Sequence, residues 1–532
     1  MPALRAGIDC GFTAMRNGHS IQWARLFELP EHAALPLQGR LRVAVVEAIL
    51  SGRLPAGAAM PSSRELARAL ALSRNTVTAA YQQLIDEAFL ESRPRSGVFV
   101  AANARPAAVA EVQSPARGAG SGAAPHWQAR LLRPLTSSRS LAKPERWRSF
   151  PYPFVYGRFD PELFPIEDFR ECCARSLTRA QLEHWTPDFE TDDVPDLIEQ
   201  IRLRVLPKRG VFALAEEILM TVGAQQGLHL LAEALFDAHT RVGFEDPGYP
   251  QARNSFSLRD PRWAPLPVDA DGAVLDNLPP LDYVFVTPSH QSPTTVTLSL
   301  ARRQQLLRLA ERDDFVVIED DYEAENLHGG TPMPALKSLD RSGRVIHIGS
   351  LSKSLSPALR LGYIVAPRTL IAELRLLRHA MVRHPSAFLQ HAYALFLALG
   401  HHESHARRVN LAMRERMAAA AAALRRHLAD FVFSMPQGGA SIWVTAPAWV
   451  DGAELTAAAQ RHGVLIEAGD VFFAEPRYPC PHFRLRLSSI ATSQIDAGVQ
   501  ALRAAVDNLA LARGVPRAAS SVPSNVRSIV RK

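Results

Sequence analysis

Lys353 stands in the run Ile348-Gly349-Ser350-Leu351-Ser352-Lys353-Ser354-Leu355-Ser356-Pro357-Ala358-Leu359-Arg360, just past an apolar strand pattern and among small hydroxyl residues. An amine held this way can form a Schiff base with an aldehyde cofactor. Upstream, Phe315-Val316-Val317-Ile318-Glu319-Asp320-Asp321-Tyr322 is a second apolar run, and it ends in carboxylates and a tyrosine. A lysine and an aspartate at two strand ends are the pair that pyridoxal phosphate requires. Its ring works as an electron sink only while the pyridine nitrogen is protonated, and a partly buried carboxylate holds that proton.

Asp320 is the residue assigned to the ring nitrogen. Tyr322 is expected to hydrogen-bond the ring hydroxyl, and Arg360, seven residues after the lysine, to grip a phosphate oxygen with its planar fork. Thr221-Val222-Gly223-Ala224-Gln225-Gln226 follows the strand pattern Ile218-Leu219-Met220 and opens a helical one, so the amides of Gly223, Ala224 and Gln225 can cradle a phosphate. Tyr249, in Glu245-Asp246-Pro247-Gly248-Tyr249-Pro250, is placed over the ring. Taken singly, each of these clusters reads as ordinary surface or as a strand-to-helix connection. Together they form a pattern: polar clusters at 223–225, 245–249, 287–291, 319–322 and 350–353 each follow a short apolar run directly. In an α/β fold with a mostly parallel sheet such positions share the carboxyl edge, where ligands bind.

From about residue 150 to 510 the chain resembles the fold-type-I aminotransferases. Val286-Thr287-Pro288-Ser289-His290-Gln291-Ser292-Pro293-Thr294 and Ile318-Glu319-Asp320-Asp321-Tyr322-Glu323 resemble one branch of them, the MocR/GabR family of transcriptional regulators. The resemblance implies Lys353 as the Schiff-base (internal aldimine) lysine, Asp320 at the pyridine nitrogen, Tyr322 and Gln291 near the ring hydroxyl, and Arg360 at the phosphate. Arg484, in Phe483-Arg484-Leu485-Arg486-Leu487-Ser488, matches the arginine that clamps a substrate α-carboxylate, with Arg486 two residues on. A large domain, a small C-terminal α/β subdomain and a homodimer follow from the same resemblance. Residues 370 to 430 read as long helices, and Gly438-Gly439-Ala440-Ser441-Ile442-Trp443 as an apolar strand of the small subdomain.

A second signal lies in the first hundred residues. Leu37 to Ser51 has helical apolar spacing; Pro61-Ser62-Ser63-Arg64-Glu65-Leu66-Ala67 begins a second helix with a serine cap, and Leu72-Ser73-Arg74-Asn75-Thr76-Val77 a third. In the third, Val77, Ala80, Tyr81 and Leu84 share one face, leaving Arg74, Asn75, Thr76, Thr78 and Gln82 outward. Arginine and short polar groups on a second helix after a tight turn suit base readout in a major groove. Phe89 to Val100 reads as an arginine-bearing hairpin. Residues 35–100 resemble a GntR-type winged helix-turn-helix, which implies DNA contacts at Arg64, Arg74, Thr76 and, in the wing, Gly97. The tip departs from the usual glycine-rich wing, carrying Arg93-Pro94-Arg95 instead.

At 532 residues, 47% of them apolar, the chain is long enough for two domains and a large buried sheet. The expected layout is an N-terminal extension over 1–34 that contains a second methionine at Met15, the winged helix over 35–100, and a flexible basic linker over 101–150. The aminotransferase-like body follows over 151–512, with a disordered basic tail over 513–532. A net charge of +7 with pI ≈ 9.4 suits a DNA partner, with the surplus concentrated in linker and tail. Cys10, Cys172, Cys173 and Cys480 form neither a disulfide framework nor a zinc spacing, which points to a reducing cytoplasm. His401, His402 and His405 lie on a polar helical pattern without a matching carboxylate arrangement, so no metal is expected there. No apolar span of membrane length is present, and residues 1–30 lack the apolar core of a signal peptide.

Two function classes compete at this level. One is a transcription factor that senses pyridoxal phosphate and a carboxylate-bearing amino compound, held as an external aldimine, with little or no transaminase turnover. The other is an active aminotransferase with an accessory DNA-binding domain. The intact reading head favours regulation.

Overall fold

The computed structural model describes Trp23, Leu26, Phe27, Leu29, residues 35–102, Ala104 and residues 127–131, then 139–157, 159–189, 192–323, Glu325, His328 and 333–515. Most of the expected extension, linker and tail lies outside the described residues. Contacts divide the chain into two units, Met1–Arg133 and Pro134–Lys532.

Within residues 35–102 the first unit has three helices, α1 (Leu37–Leu50), α2 (Ser63–Ala69) and α3 (Arg74–Asp86), followed by a hairpin of β1 (Leu90–Arg93) and β2 (Gly97–Val100). Serine side chains start the second and third helices: Ser62 accepts from Glu65 N and Ser73 from Thr76 N. Each satisfies one donor that a helix start leaves open. Val77, Ala80, Tyr81 and Leu84 are buried together against Leu41, Val45 and Leu66, so the apolar face read from the sequence is the core face. Burial of a side chain the size of Val77 or Leu84 contributes on the order of 1.5–3 kcal/mol by leaving water. The core is wider than the expected 35–100: Phe27 is buried in it, Trp23 stacks on Phe27, and Ala104 closes the far side.

In the second unit the elements from α4 (Ile166–Ser176) and α5 (Pro195–Gln200) run into an eight-stranded sheet. Its strands are β3 (Ile218–Thr221), β4 (Arg241–Asp246), β5 (Arg262–Asp269), β6 (Gly272–Ala273), β7 (Tyr283–Val286), β8 (Val316–Asp320), β9 (Val345–Ser350) and β10 (Gly362–Val365), in the order β3-β10-β9-β8-β7-β4-β5-β6. Strands β9, β8, β7, β4 and β5 are mutually parallel, whereas β10 runs antiparallel to both β9 and β3. Two reversals restore the direction, so β3 ends on the same edge as β9. The sheet is covered by helices including α6 (Gly223–Leu235), α7 (Pro250–Ser257), α8 (Leu300–Asp313), α9 (Arg368–Val382) and α10 (Ala387–Ala398).

The long α11 (His401–His427) leads into a smaller sheet of β11 (Val432–Phe433), β12 (Ser441–Thr445), β13 (Glu467–Ala468) and β14 (His482–Arg486), in the order β11-β12-β14-β13. It packs with α12 (Gly452–Arg461) and α13 (Thr492–Ala512) around its own core. The apolar strand expected at 438–443 begins at Ser441, because Gly439 takes a positive φ and the chain turns there. Part of the expected linker also belongs to this unit. Residues 139–150 form a strap: the Arg139 guanidinium donates to the Phe473 and Asp470 carbonyls, Asn254 on α7 donates to the Arg139 carbonyl (2.9 Å), and Lys143 donates to the Tyr156 carbonyl.

Asp193, just before α5, anchors this helix layer to the sheet. It accepts from Met220 N on β3 (3.1 Å) and from the fully buried Arg378 of α9 (2.5 Å), which also reaches the Met220 carbonyl. Asp193→Ala should therefore cost about 3–5 kcal/mol, because Arg378 stays buried without that carboxylate. The urea unfolding midpoint of the second unit measures it. A loss well under 1 kcal/mol would show that the pair is not buried in solution.

Candidate functional site

Five parallel-running strands, β3, β4, β7, β8 and β9, end on one edge of the large sheet. The clusters that follow them meet there around a cavity of ≈ 240 Å³. Lys353, Asp320, Tyr322, Arg360, Tyr249, Gly223, Ala224, Gln225 and Arg484 all line it. Gln291 does not. Its amide nitrogen is taken by the Pro247 and Ser292 carbonyls and Glu245, and its oxygen by Thr294, so it braces the loop behind the wall while Ser292 faces the cavity.

Lys353 follows β9, with Nζ 4.1 Å from the centre of the Tyr156 ring and 5.3 Å from that of Tyr322. Asp320 ends β8 and is 2% exposed. Burial pushes its carboxyl up to about 7, against the pull of Lys353. Its Oδ1 is buried without a hydrogen-bond partner. Such an acceptor is costly unless a donor meets it. A protonated ring nitrogen is a donor of the right kind, and this orphaned oxygen is the feature that fits pyridoxal phosphate most closely. The flanking carboxylates face away, as strand alternation requires. Glu319 accepts from Leu336 N (2.6 Å), Lys337 N and the His347 ring, and Asp321 from Arg209 (2.8 Å) and Ser289 (2.5 Å). Burial would raise Asp321, but the Arg209 guanidinium outweighs it and holds the carboxyl low.

At the opposite end of the cavity, α6 begins at Gly223 with no side chain capping its first turn, so its amides point outward for an anion. Gly223 has φ +71°, and a Cβ there would lie 3.0 Å from Arg360 Cζ. Gly362 is equally tight: a Cβ would lie 2.7 Å from Ala224 N. Two bare backbones thus leave a cradle that side chains would fill. Arg360, half of whose fork holds the Val222 carbonyl (3.0 Å), borders it. Gln225 contributes backbone only, since its amide goes to the Gln251 carbonyl and Ser255. Tyr249 precedes α7, its phenol pushed up by burial. The Tyr322 hydroxyl donates to the His290 carbonyl (2.9 Å), which leaves its oxygen as an acceptor toward a ring hydroxyl.

The third wall carries a pair of arginines. Arg484 and Arg486 alternate on β14 and so share a face, and both line the cavity. Arg484 Nε donates to Glu467 (2.7 Å) and Arg486 Nη2 to Glu323 (2.5 Å). Burial pushes Glu323 up, but Arg486 dominates and brings it down to about 2. Arg486 also lies over Tyr156, 5.1 Å from the ring centre, while Glu467 accepts from Tyr156 N (3.1 Å). Tyr156 and Glu467 carried no usable signal in the sequence, and Ser292 and Glu323 stood in the quoted runs without a role assigned to them. Arg486 carried a signal through its i, i+2 spacing from Arg484.

In the first unit Arg64 and Arg74 are exposed, and Thr76 is half-buried, its hydroxyl shared with Ser73 (2.8 Å). Gly97 opens β2 opposite Arg93. Arg93, though exposed, is engaged within the hairpin, paired with Glu91 (2.6 Å) and laid over the Phe99 ring (4.4 Å), and Arg95 is exposed at the tip.

Residues 190–502 match the aminotransferase class I and II family and residues 37–100 the bacterial regulatory proteins of the gntR family. The chain is 41% identical to the HTH-type transcriptional regulator TauR of Rhodobacter capsulatus, over 87% of this chain and 95% of that protein. It is 33% identical to a probable rhizopine catabolism regulatory protein, MocR, of Rhizobium meliloti, over 76% and 80%. Among solved structures, LysN, an α-aminoadipate aminotransferase from Thermus thermophilus complexed with a phosphopyridoxyl-leucine adduct, is 28% identical with TM-score 0.66, over 72% of this chain and 99% of that one. A kynurenine aminotransferase of Pyrococcus horikoshii is 25% identical with TM-score 0.65, over 69% and 93%.

The buried Asp320 makes stability depend on pH. Its pKa of about 7 in the fold lies above the model-peptide value of 3.8, so the folded protein binds that proton more tightly than the unfolded chain. The resulting stabilisation is complete below pH 3.8 and is lost as pH rises through 7. In cofactor-free protein Asp320→Asn should flatten this decline, raising stability at about pH 8 relative to the parent and leaving about pH 4 little changed. Urea midpoints at the two pH values decide it, and an unchanged slope would mean that Asp320 is hydrated.

Proposed function

Since the chain belongs to the MocR-type family of transcriptional regulators, in which a GntR-type DNA-binding unit is joined to a pyridoxal-phosphate-binding aminotransferase-like unit, we propose that its second unit senses a carboxylate-bearing amino compound. Bound in the cavity, pyridoxal phosphate supplies an aldehyde for the incoming amine and an electron-withdrawing ring. Lys353 is the anchoring amine, Asp320 holds the ring-nitrogen proton, Arg360 and the start of α6 take the phosphate, and Tyr249 and Tyr322 confine the ring.

The observation that carries the sensing role is the state of the two arginines. Each already holds an internal carboxylate, Glu467 or Glu323, through one nitrogen, so a ligand carboxylate that takes the remaining donors competes with a protein group for the same guanidinium. A ligand shifts a conformational equilibrium only through different affinities for two states, and a displaced Glu323 supplies such a difference on the segment just after Asp320. The protein acts as a cytoplasmic homodimer whose two reading heads address two DNA half-sites. Transaminase turnover is slow or absent.

The test uses purified full-length protein and its own upstream DNA. Lys353→Ala should abolish the borohydride-reducible cofactor adduct. Arg74→Ala should weaken specific DNA binding by on the order of 1–3 kcal/mol with cofactor content unchanged. Arg484→Ala and Arg486→Gln should keep both the cofactor absorbance and the footprint while losing the response of the footprint to amino compounds. Multiple turnover between amino and keto acids at the rate of an ordinary aminotransferase would establish the enzyme reading instead.

A further inference from the structure

Away from the cavity, three side chains far apart in sequence converge on one point. His184 ends the short helical segment Arg179–His184, Asp196 lies in the first turn of α5, and His391 lies on α10. His184 Nδ1 is 3.0 Å and His391 Nδ1 3.4 Å from the same Asp196 Oδ2, and one ligand atom from each residue lies within 4.8 Å of the others. Ligand atoms around one tetrahedral ion, bound at roughly 2.0–2.1 Å, are spaced about 3.3 Å apart, so both separations match edges of such a site. Two imidazoles on that ion place their ring centres about 5 Å apart. Here they are 5.3 Å apart.

The hydrogen bonding of His391 gives an independent reason. The ring is 1% exposed, and its Nε2 lies 3.0 Å from Gln181 Oε1. A carbonyl oxygen only accepts, so Nε2 carries the proton and Nδ1 presents a lone pair. That Nδ1 is buried without a hydrogen-bond partner and faces the Asp196 carboxylate, itself an acceptor. Two acceptors this close call for a positive centre between them. Gln181 then plays the outer role common at metal-bound histidines, fixing the tautomer through the other nitrogen.

We propose that His184, Asp196 and His391 bind one divalent first-row transition cation of the zinc class, with solvent in the fourth position. Two imidazole nitrogens and one carboxylate suit such an ion, and the half-exposed His184 and Asp196 leave it a way in. His184 Nδ1, which donates to Asp196 when no ion is bound, gives up that hydrogen bond, and its proton moves to Nε2 so that the Nδ1 lone pair faces the ion. The ion would fasten α10 to the start of α5, where Gln390 already accepts from Val194 N (3.1 Å) and Asp193 from Met220 N on β3.

The test takes full-length, cofactor-loaded protein stripped with a chelator and titrates it with Zn²⁺ and Co²⁺. One ion per chain should survive gel filtration, and the Co²⁺ form should show the intense visible bands of four-coordinate cobalt. His184→Ala and Asp196→Asn, both at half-exposed positions, should each weaken binding at least about tenfold, and Gln181→Leu, which touches no ion, about tenfold as well. Circular dichroism and the cofactor band show that these variants remain folded. No stoichiometric ion, or equal affinity in parent and variants because other histidines or the cofactor hold it, overturns the proposal. So do the weak bands of six-coordinate cobalt in the parent, a reading that needs no variant.

Discussion

Three consecutive carboxylates at the end of β8 set the terms for the rest of the second unit. Charges buried side by side repel, and none of them can be hydrated there. Strand alternation sends Glu319 and Asp321 to one side, where backbone amides, His347, Ser289 and Arg209 absorb them. Asp320 is left on the other side with no donor of its own on Oδ1. The fold therefore concentrates one unmet acceptor at the floor of the cavity. The residues around it are arranged to the same end: a cation across from it, aromatic rings alongside, and an anion cradle at the far rim.

How much of this could be read from the sequence depended on distance along the chain. The order of short apolar runs and polar ends gave the common edge, because each strand carries its own cluster. The head was legible for the same reason, since caps at Ser62 and Ser73 and the Val77, Ala80, Tyr81, Leu84 face are local patterns. Partner choice was not local. Gln291 looked like a cavity residue by its place in the run, yet Pro247, Glu245 and Thr294 consume its amide. Arg93, read only as part of a tip that departs from the glycine-rich wing, lies on Phe99 within its own hairpin.

The same limit explains what was missed. Tyr156 reaches Lys353 from nearly two hundred positions upstream, Glu323 finds Arg486 across the boundary between the large and small sheets, and Glu467 meets Arg484 only because their strands pair. His184, Asp196 and His391 share no spacing that a motif could express, whereas the clustered His401, His402 and His405 attract notice. In the fold His402 is spent on Glu325 and the Tyr393 hydroxyl. Proximity in sequence proved a poor guide to proximity in space for histidines.

The strap over residues 139–150 adds a mechanical consequence. Arg139 is bonded to Asn254 of the large sheet layer and to Phe473 beside the small sheet, Leu141 lines the cavity, and Lys143 is fixed to Tyr156. Three residues separate the two fixed points, four Cα–Cα steps that span at most about 14 Å fully extended, so the strap has little slack. Any widening between α7 and Phe473 must load it or break the grip of Arg139. The segment through which the chain enters the second unit is thus tied at once to α7, to the residues beside the small sheet and to the tyrosine that faces Lys353.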